Sequence, residues 1–396
     1  MGEYVWLAPL VAFLVAAIGW LFRELHFRRE WRSKATLGAS QILKDKKTLI
    51  EEMMAEIDDD RKKEELRLQL DEVNIALLGL HSERLRRTLK DAGLPPEEAL
   101  IADGLSQLQP QQVDQLKGEI AELQTLPQPG SIWDLLPLGN AYYYAEQYED
   151  AKRIYDRILS LNPDDPNILH SRGVTYGQLE RYDEALADLN RSLELRPDDP
   201  ATLYNRGVTY GKLERDDEAL ADYNRSLQLR PDDPATLNNR GVIYAKLERY
   251  DEALAEFNRS LELRPDHPAT LYNRGGTYGK LERYDEALAD YNRSLELKPD
   301  DPATLNNRGN TYAKLERYDE ALADYNRSLE LRPDDPAILY NLACLFSLQG
   351  KSDDALTYLE KAIHKDRKYR EMAKTDKDFD NIRDDPRFKK LIIESD

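Results

Sequence analysis

Cysteine is almost missing from this chain: Cys344 stands alone among 396 residues. One thiol excludes a disulfide framework and a cysteine-based metal site within one chain, and it fits a reducing compartment. Histidine is nearly as sparse, and His26, His81, His170, His267 and His364 show no metal-ligand spacing. Positive charge is outnumbered, with 56 Lys and Arg against 75 Asp and Glu and a formal net charge of −19. That balance excludes nucleic acid as the main partner, because a duplex needs a basic face. No glycine-rich phosphate loop or nucleophile motif occurs, and no cofactor is expected. Asp376, Asp378 and Asp380 imitate the start of a calcium loop, but Asn381 replaces its Gly and Arg387 its terminal Glu. Nothing in these residues suggests an enzyme.

A long apolar run occurs at Tyr4–Phe22, where 19 residues carry no charge. As a helix the run spans about 28 Å, close to the thickness of a bilayer's hydrocarbon core. Tyr4, Trp6, Trp20 and Phe22 lie at its ends, where aromatic rings favour the interface. Arg23, Arg28, Arg29, Arg32 and Lys34 come after it, whereas only Glu3 is charged before it. A signal peptide carries its positive charge ahead of the run. Trp6 stands where myristoylation wants Ser or Thr. The sequence therefore predicts a transmembrane helix at 4–22 and a basic juxtamembrane segment at 23–34. The positive-inside rule makes it a single-pass membrane protein with the N-terminus outside and the remainder in the cytoplasm.

Residues 35–126 read as a charged helical spacer. Leu66, Leu70, Val73, Leu77 and Leu80 keep a 4-3-4-3 spacing, and Val113, Leu116, Ile120 and Leu123 repeat it beyond Pro95–Pro96. The seam suits either an intermolecular coiled coil, and so self-association, or helices folded back on one another or on the C-terminal part of the chain. Residues 127–131 read as a linker.

From Ile132 the chain repeats itself every 34 residues. Seven units start at Ile132, Pro166, Pro200, Pro234, Pro268, Pro302 and Pro336 and span 132–369. In the unit from Pro268, Leu271, Gly275 and Tyr278 share one helical face, and Ala287, Tyr291 and Ser294 share another before Pro299. One such helix pair cannot bury these residues alone, so the units must stack. The units from Pro200 and Pro268 differ at four positions, and those from Pro234 and Pro302 at five. This second period reads as duplication of a two-unit block.

The in-register pattern of large apolar residue, Gly, Tyr, Ala, aromatic, small residue and Pro resembles the tetratricopeptide repeat family. Gly139, Gly173, Gly207, Gly241, Gly275 and Gly309 hold the small site of the first helix, and Ala151 to Ala355 that of the second. The last unit departs with Ala343 for Gly and Arg367 for Pro. The resemblance implies an all-α, right-handed superhelical solenoid of helix-turn-helix repeats whose first helices line a concave, peptide-binding groove. Residues 370–396, with Phe379, Ile382, Phe388 and Leu391, read as a cap on the final unit. Carried onto this chain, the groove holds Asn205, Asn239, Asn273, Asn307 and Asn341. Tyr204, Tyr272 and Tyr340 stand beside them, and Lys212, Lys246, Lys280 and Lys314 lie further along. An asparagine amide both donates and accepts, so a ladder of them suits a peptide backbone of any sequence. The lysines would favour acidic ligands. Five Asn-Arg-Ser triplets, starting at Asn190, Asn224, Asn258, Asn292 and Asn326, match the glycosylation pattern but read as by-products of the repeat.

Five units carry a basic residue where the family is usually apolar: Arg172, Arg206, Arg240, Arg274 and Arg308. Sixteen residues later stand Asp188, Asp222, Glu256, Asp290 and Asp324, and units one and seven lack both partners. The joint presence and absence predicts an ion pair between the two helices of one unit. Taken together, these features predict a membrane-anchored scaffold that binds protein or peptide partners in the groove. The alternative is a regulatory subunit or assembly factor of a membrane complex that makes contact through the spacer.

Overall fold

A computed structural model of the chain describes residues 84–91, 110–124 and 132–393, together with parts of 41–54. The expected span at 4–22 and the seam from Leu66 to Leu80 lie outside the described residues. Among the described residues no helix is long and apolar enough to cross a membrane. Every regular element among them is helical, and the chain divides into two compact parts, residues 1–209 and 210–396.

The first helices of the units are Ile132–Tyr144, Pro166–Gln178, Pro200–Lys212, Pro234–Lys246, Pro268–Lys280, Pro302–Lys314 and Pro336–Leu348. The second helices are Tyr148–Leu161, Tyr182–Leu195, Asp216–Leu229, Tyr250–Leu263, Tyr284–Leu297, Tyr318–Leu331 and Ser352–Lys365. Proline starts a first helix well because its missing N–H would have no partner in the opening turn. The preceding aspartate accepts the next free N–H groups: Asp165 from Asn167 and Ile168, Asp233 from Thr236, and Asp301 from Thr304. The first helices end in a left-handed residue. Glu180, Glu248, Glu282 and Glu316 hold φ of 57–58°, and Gly350 takes the same place in unit seven at 73°. The N–H of the next arginine then closes the helix, as in Arg283 N–H to Tyr278 O at 2.9 Å, and its guanidinium lies 4.5 Å over the Tyr278 ring. Acidic residues open each second helix, as Asp285 and Glu286 do, where the helix dipole favours them.

Within a unit the two helices approach so closely that a side chain on the first would collide with the second. A Cβ built at Gly241 would lie 2.7 Å from the Phe257 ring, and one at Gly309 would lie 2.7 Å from Tyr325. Ala253, Ala287 and Ala321 are fully buried on the opposing helices.

The predicted ion pairs form in units two, four, five and six. Arg172, Arg274 and Arg308 each grip the two oxygens of Asp188, Asp290 and Asp324 through Nε and Nη2 at 2.7–2.8 Å. Arg240 reaches Glu256 through Nη2 alone, at 2.7 Å. The remaining nitrogen does what the sequence did not announce. Nη1 donates to the preceding unit's second helix: Arg240 to Asn224, Arg274 to Asn258 and Arg308 to Asn292, all at 2.7 Å, and Arg172 to Asp156. Each guanidinium thus ties neighbouring second helices together.

The Asn-Arg-Ser triplets lie inside the second helices, as expected of a feature of the repeat, and all three side chains serve its packing. Their Asn accepts from that guanidinium, as Asn190 does from Arg206 at 2.8 Å. Their Arg bridges back to an interhelix aspartate, as in Arg293 to Asp266 and Arg327 to Asp300. Their Ser donates to the carbonyl of the proline that starts its own unit, as in Ser328 to Pro302 at 2.7 Å.

Both ends are covered by the chain's own segments, and the described spacer helices follow the folded-back alternative. In the part up to Thr209, Leu43, Ile50, Leu85 and Leu89 are buried in one core with Leu135, Leu138 and Tyr142 to Tyr144 of unit one. Gln115 donates to Thr88, linking Pro110–Gln124 to the same assembly. The described spacer helices fold back because unit one has no earlier unit to bury its apolar face. At the other end Lys368–Thr375, a 3₁₀ turn at Lys377–Ile382 and Pro386–Ile393 bury Phe379, Ile382 and Phe388 against unit seven.

Candidate functional site

The asparagines assigned to the groove do form a ladder, but its rungs run between units. Asn273 donates to Asn238 Oδ1 at 3.1 Å, Asn307 to the Tyr272 hydroxyl at 3.1 Å, and Asn341 to Asn306 Oδ1 at 2.9 Å. Asn205 gives its amide to Ala201 O and faces His170 Nε2 at 3.3 Å. Asn239 accepts from Asn238. The bonds of Asn273, Asn307 and Asn341 and the Asn205–His170 contact join the first helix of one unit to that of the next, whereas the Asn238–Asn239 bond lies within one helix. The amides thus hold first helices in register, in addition to any ligand they meet. Asn238, Tyr272 and Asn306, each standing one place before the asparagine of its own unit, are the accepting halves of these rungs. Both side-chain types offer an acceptor oxygen.

The lysines divide. Lys246 pairs with Asp216 of the preceding second helix at 3.0 Å, and Lys314 stands 3.8 Å from Asp378. Lys212 and Lys280 are exposed at the ends of their first helices.

One face of the first helices is left with small side chains. One turn and two turns after Tyr272 come Gly276 and Gly279. A Cβ on Gly279 would meet nothing within 4 Å, and one on Gly276 only the Tyr291 hydroxyl at 3.7 Å. In unit four the same stripe is Asn238, Val242 and Ala245, and Val242 is 37% exposed. In unit six it is Asn306, Asn310 and Ala313, with Asn310 accepting from Tyr325 at 2.7 Å.

Unit seven treats that stripe differently. Tyr340, Cys344 and Ser347 occupy it and are 4%, 7% and 0% exposed. The segment from Asp376 to Ile382 covers them. Asp376 accepts from the Tyr340 hydroxyl at 2.8 Å and from the Cys344 thiol at 3.8 Å, and Asn381 donates to Ser347 O. The Tyr340 ring packs 4.9 Å from the tilted Tyr369 ring and edge-to-face 5.6 Å from Phe379. Tyr340, expected among the ligand-binding tyrosines, is therefore already occupied by the chain itself. Burial and the Asp376 carboxylate push both the Tyr340 phenol and the Cys344 thiol well above their ordinary range. Burial also raises Asp378, with Lys314 opposing.

The ligand atoms of Cys344, Asp376 and Asp378 lie within 4.8 Å of one another. The tail brings two carboxylates beside the single cysteine. Here, however, Asp376 is engaged by Tyr340, Cys344 and the Asp378 N–H, and Lys314 supplies the positive charge. The group works as a polar clasp for the cap.

Family models described as tetratricopeptide repeat match residues 138–206, 200–233, 232–300 and 300–367, more than half of the chain. The chain belongs to the tetratricopeptide repeat family. No curated protein matches it. Among solved structures, a tetratricopeptide repeat protein from Parabacteroides merdae ATCC 43184 is similar at 19% identity and a TM-score of 0.50. That match covers 61% of this chain and 96% of the other. The Cut9–Hcn1 hetero-tetramer of the APC/C is similar at 16% identity and a TM-score of 0.56 over 69% of this chain and 55% of the other. At such identities the likeness is one of fold. It agrees with the all-α solenoid of tetratricopeptide units.

Proposed function

We propose that this tetratricopeptide protein is a scaffold that binds protein partners along the open stripe of its first helices. One observation carries the reading. The stripe that unit seven buries beneath the chain's own Asp376–Ile382 segment is left uncovered in units four and five, at Val242, Gly276 and Gly279. A surface that accepts a peptide segment in one unit recurs at the same three helical places without one in the others. Several weak contacts along repeated sites would add up through multivalency. The exposed Lys280 favours acidic segments there.

The uncharged run at Tyr4–Phe22 and the basic residues after it support a membrane tether with the repeats in the cytoplasm. Two measurements test the reading. Gly279→Glu with Lys280→Glu fills the stripe without touching a buried contact. Crosslinking pull-down from membranes should then lose partners while the melting temperature holds. Unchanged capture moves the binding surface elsewhere. A reporter fused after Asp396 should behave as cytoplasmic, and its export overturns the tether's orientation.

A further inference from the structure

In unit five the stripe combines features that unit seven shows in use. Tyr272, Gly276 and Gly279 stand where Tyr340, Cys344 and Ser347 stand in unit seven, and no other unit places Tyr before two glycines there. Gly275 is needed for packing, since a Cβ there would lie 2.9 Å from the Tyr291 ring. Gly276 and Gly279 are not needed in that way, although glycine weakens a helix interior. What they provide is room for another backbone to lie against Pro268–Lys280. In unit three that room is partly filled, because a Cβ at Gly211 would press on Ile243 Cδ1 at 3.3 Å.

Two polar groups flank that room. The Tyr272 hydroxyl accepts from Asn307 at 3.1 Å, which leaves its own proton directed to no acceptor among the described residues. Tyr340 gives the corresponding proton to the Asp376 carboxylate at 2.8 Å. The second group is a lysine. Lys314 ends unit six's first helix and stands 3.8 Å from Asp378, and Lys246 ends the first helix of unit four, one unit before Tyr272. Lys246 bonds Asp216 through one of its three N–H groups, and its side chain is 43% exposed, so it has donors left for a second carboxylate. Two carboxylates separated by a single residue, as Asp376 and Asp378 are, therefore match Tyr272 and Lys246. Units four and six carry Asn238 and Asn306 at the place of the tyrosine, and their oxygens already accept from Asn273 and Asn341.

We propose that unit five takes an acidic segment of a partner protein, one with two carboxylates flanking a single residue. The segment lies over Gly276 and Gly279 and is held by the Tyr272 hydroxyl and the Lys246 ammonium. This rests on the first-helix stripe being a binding face, and it adds the chemistry of the ligand. The chain's own tail is not the occupant, because burial of Phe379 and Ile382 holds it on unit seven.

A labelled synthetic peptide copying Thr375–Asp384 is the probe, titrated by fluorescence anisotropy into the full chain held in detergent. Gly279→Ala adds a methyl that meets nothing in the folded chain, so it should raise the melting temperature and yet weaken the probe about tenfold. Tyr272→Phe should weaken it by about tenfold or more, the loss of a hydrogen bond to a charged group. A probe carrying Asp376→Asn and Asp378→Asn should lose at least as much. Equal binding by that neutral probe, or binding that neither Gly279→Ala nor Tyr272→Phe alters, overturns the proposal. Self-association of the full chain that the probe competes away would make a second copy's tail the occupant and overturn the assignment to a partner. If Gly279→Glu with Lys280→Glu abolishes partner capture while the probe does not bind at all, the acidic chemistry is overturned and the stripe stands as a binding face.

Discussion

Unit four contains its own experiment. Arg240 meets a glutamate where the other described pairs have aspartate. Glu256 bonds only through Oε1, and Arg240 Nε and Glu256 Oε2 are left buried without partners. The side chains are 18% and 15% exposed, so water compensates little. In units two, five and six the shorter aspartate presents both oxygens to Nε and Nη2. Glu256→Asp should restore the fork. A hydrogen bond between charged groups contributes about 1.5–3 kcal/mol net. Against it stand the lost burial of one methylene, about 0.8 kcal/mol, and a few tenths for the lower helix propensity of aspartate. The expected gain is about 1 kcal/mol. Because repeat arrays need not unfold in one step, native-state hydrogen exchange across 234–267 is the assay, with the urea midpoint as a second reading. The mirror change, Asp290→Glu, should cost a similar amount in unit five. If Glu256→Asp destabilises, or if both changes are neutral, the fork geometry is not what holds these helices together. Arg240→Gln combined with Glu256→Asp should erase the gain, since coupling requires both partners.

Three further outcomes come from comparing units. His267 stands where Asp233 and Asp301 cap their helices, and its side chain caps no backbone N–H, so His267→Asp should add about 1 kcal/mol, seen as a higher melting temperature. Glu282 is held at φ 58° where unit seven has Gly350, and Glu282→Gly should add about 0.5–1 kcal/mol by urea titration, against a loss if the left-handed turn were unstrained. Asp378 has a raised proton affinity through burial, so its charge weakens the cap as pH rises above the usual carboxylate range. Asp378→Asn should therefore tighten residues 376–382 to proteolysis at neutral pH, and the advantage should disappear below about pH 4.

Much of the architecture was legible in the residues alone. Proline, glycine and alanine at fixed places in a 34-residue period specify where helices start and where two of them must nearly touch, because these are local constraints of φ, volume and a missing N–H. The ion pairs were legible too, since Arg and its acid appear and vanish together between units one, seven and the rest. The second role of each guanidinium, donation to Asn224, Asn258 or Asn292 of the preceding unit, was not. That contact depends on how units stack, and an Asn inside a repeated triplet looks the same whether or not a neighbour reaches it.

The binding face shows the same division. The sequence by itself determined that one Asn recurs at a fixed place in the first helices of units three to seven and that a small residue recurs on the same helices. Only the tertiary structure decided that these amides span units, that Lys246 is tied to Asp216, and that the tail lies over Tyr340, Cys344 and Ser347. The reason is physical. A helix start or a close approach is encoded within a few residues, whereas the partner of an amide or a carboxylate is whichever group the packing of distant segments brings within about 3 Å.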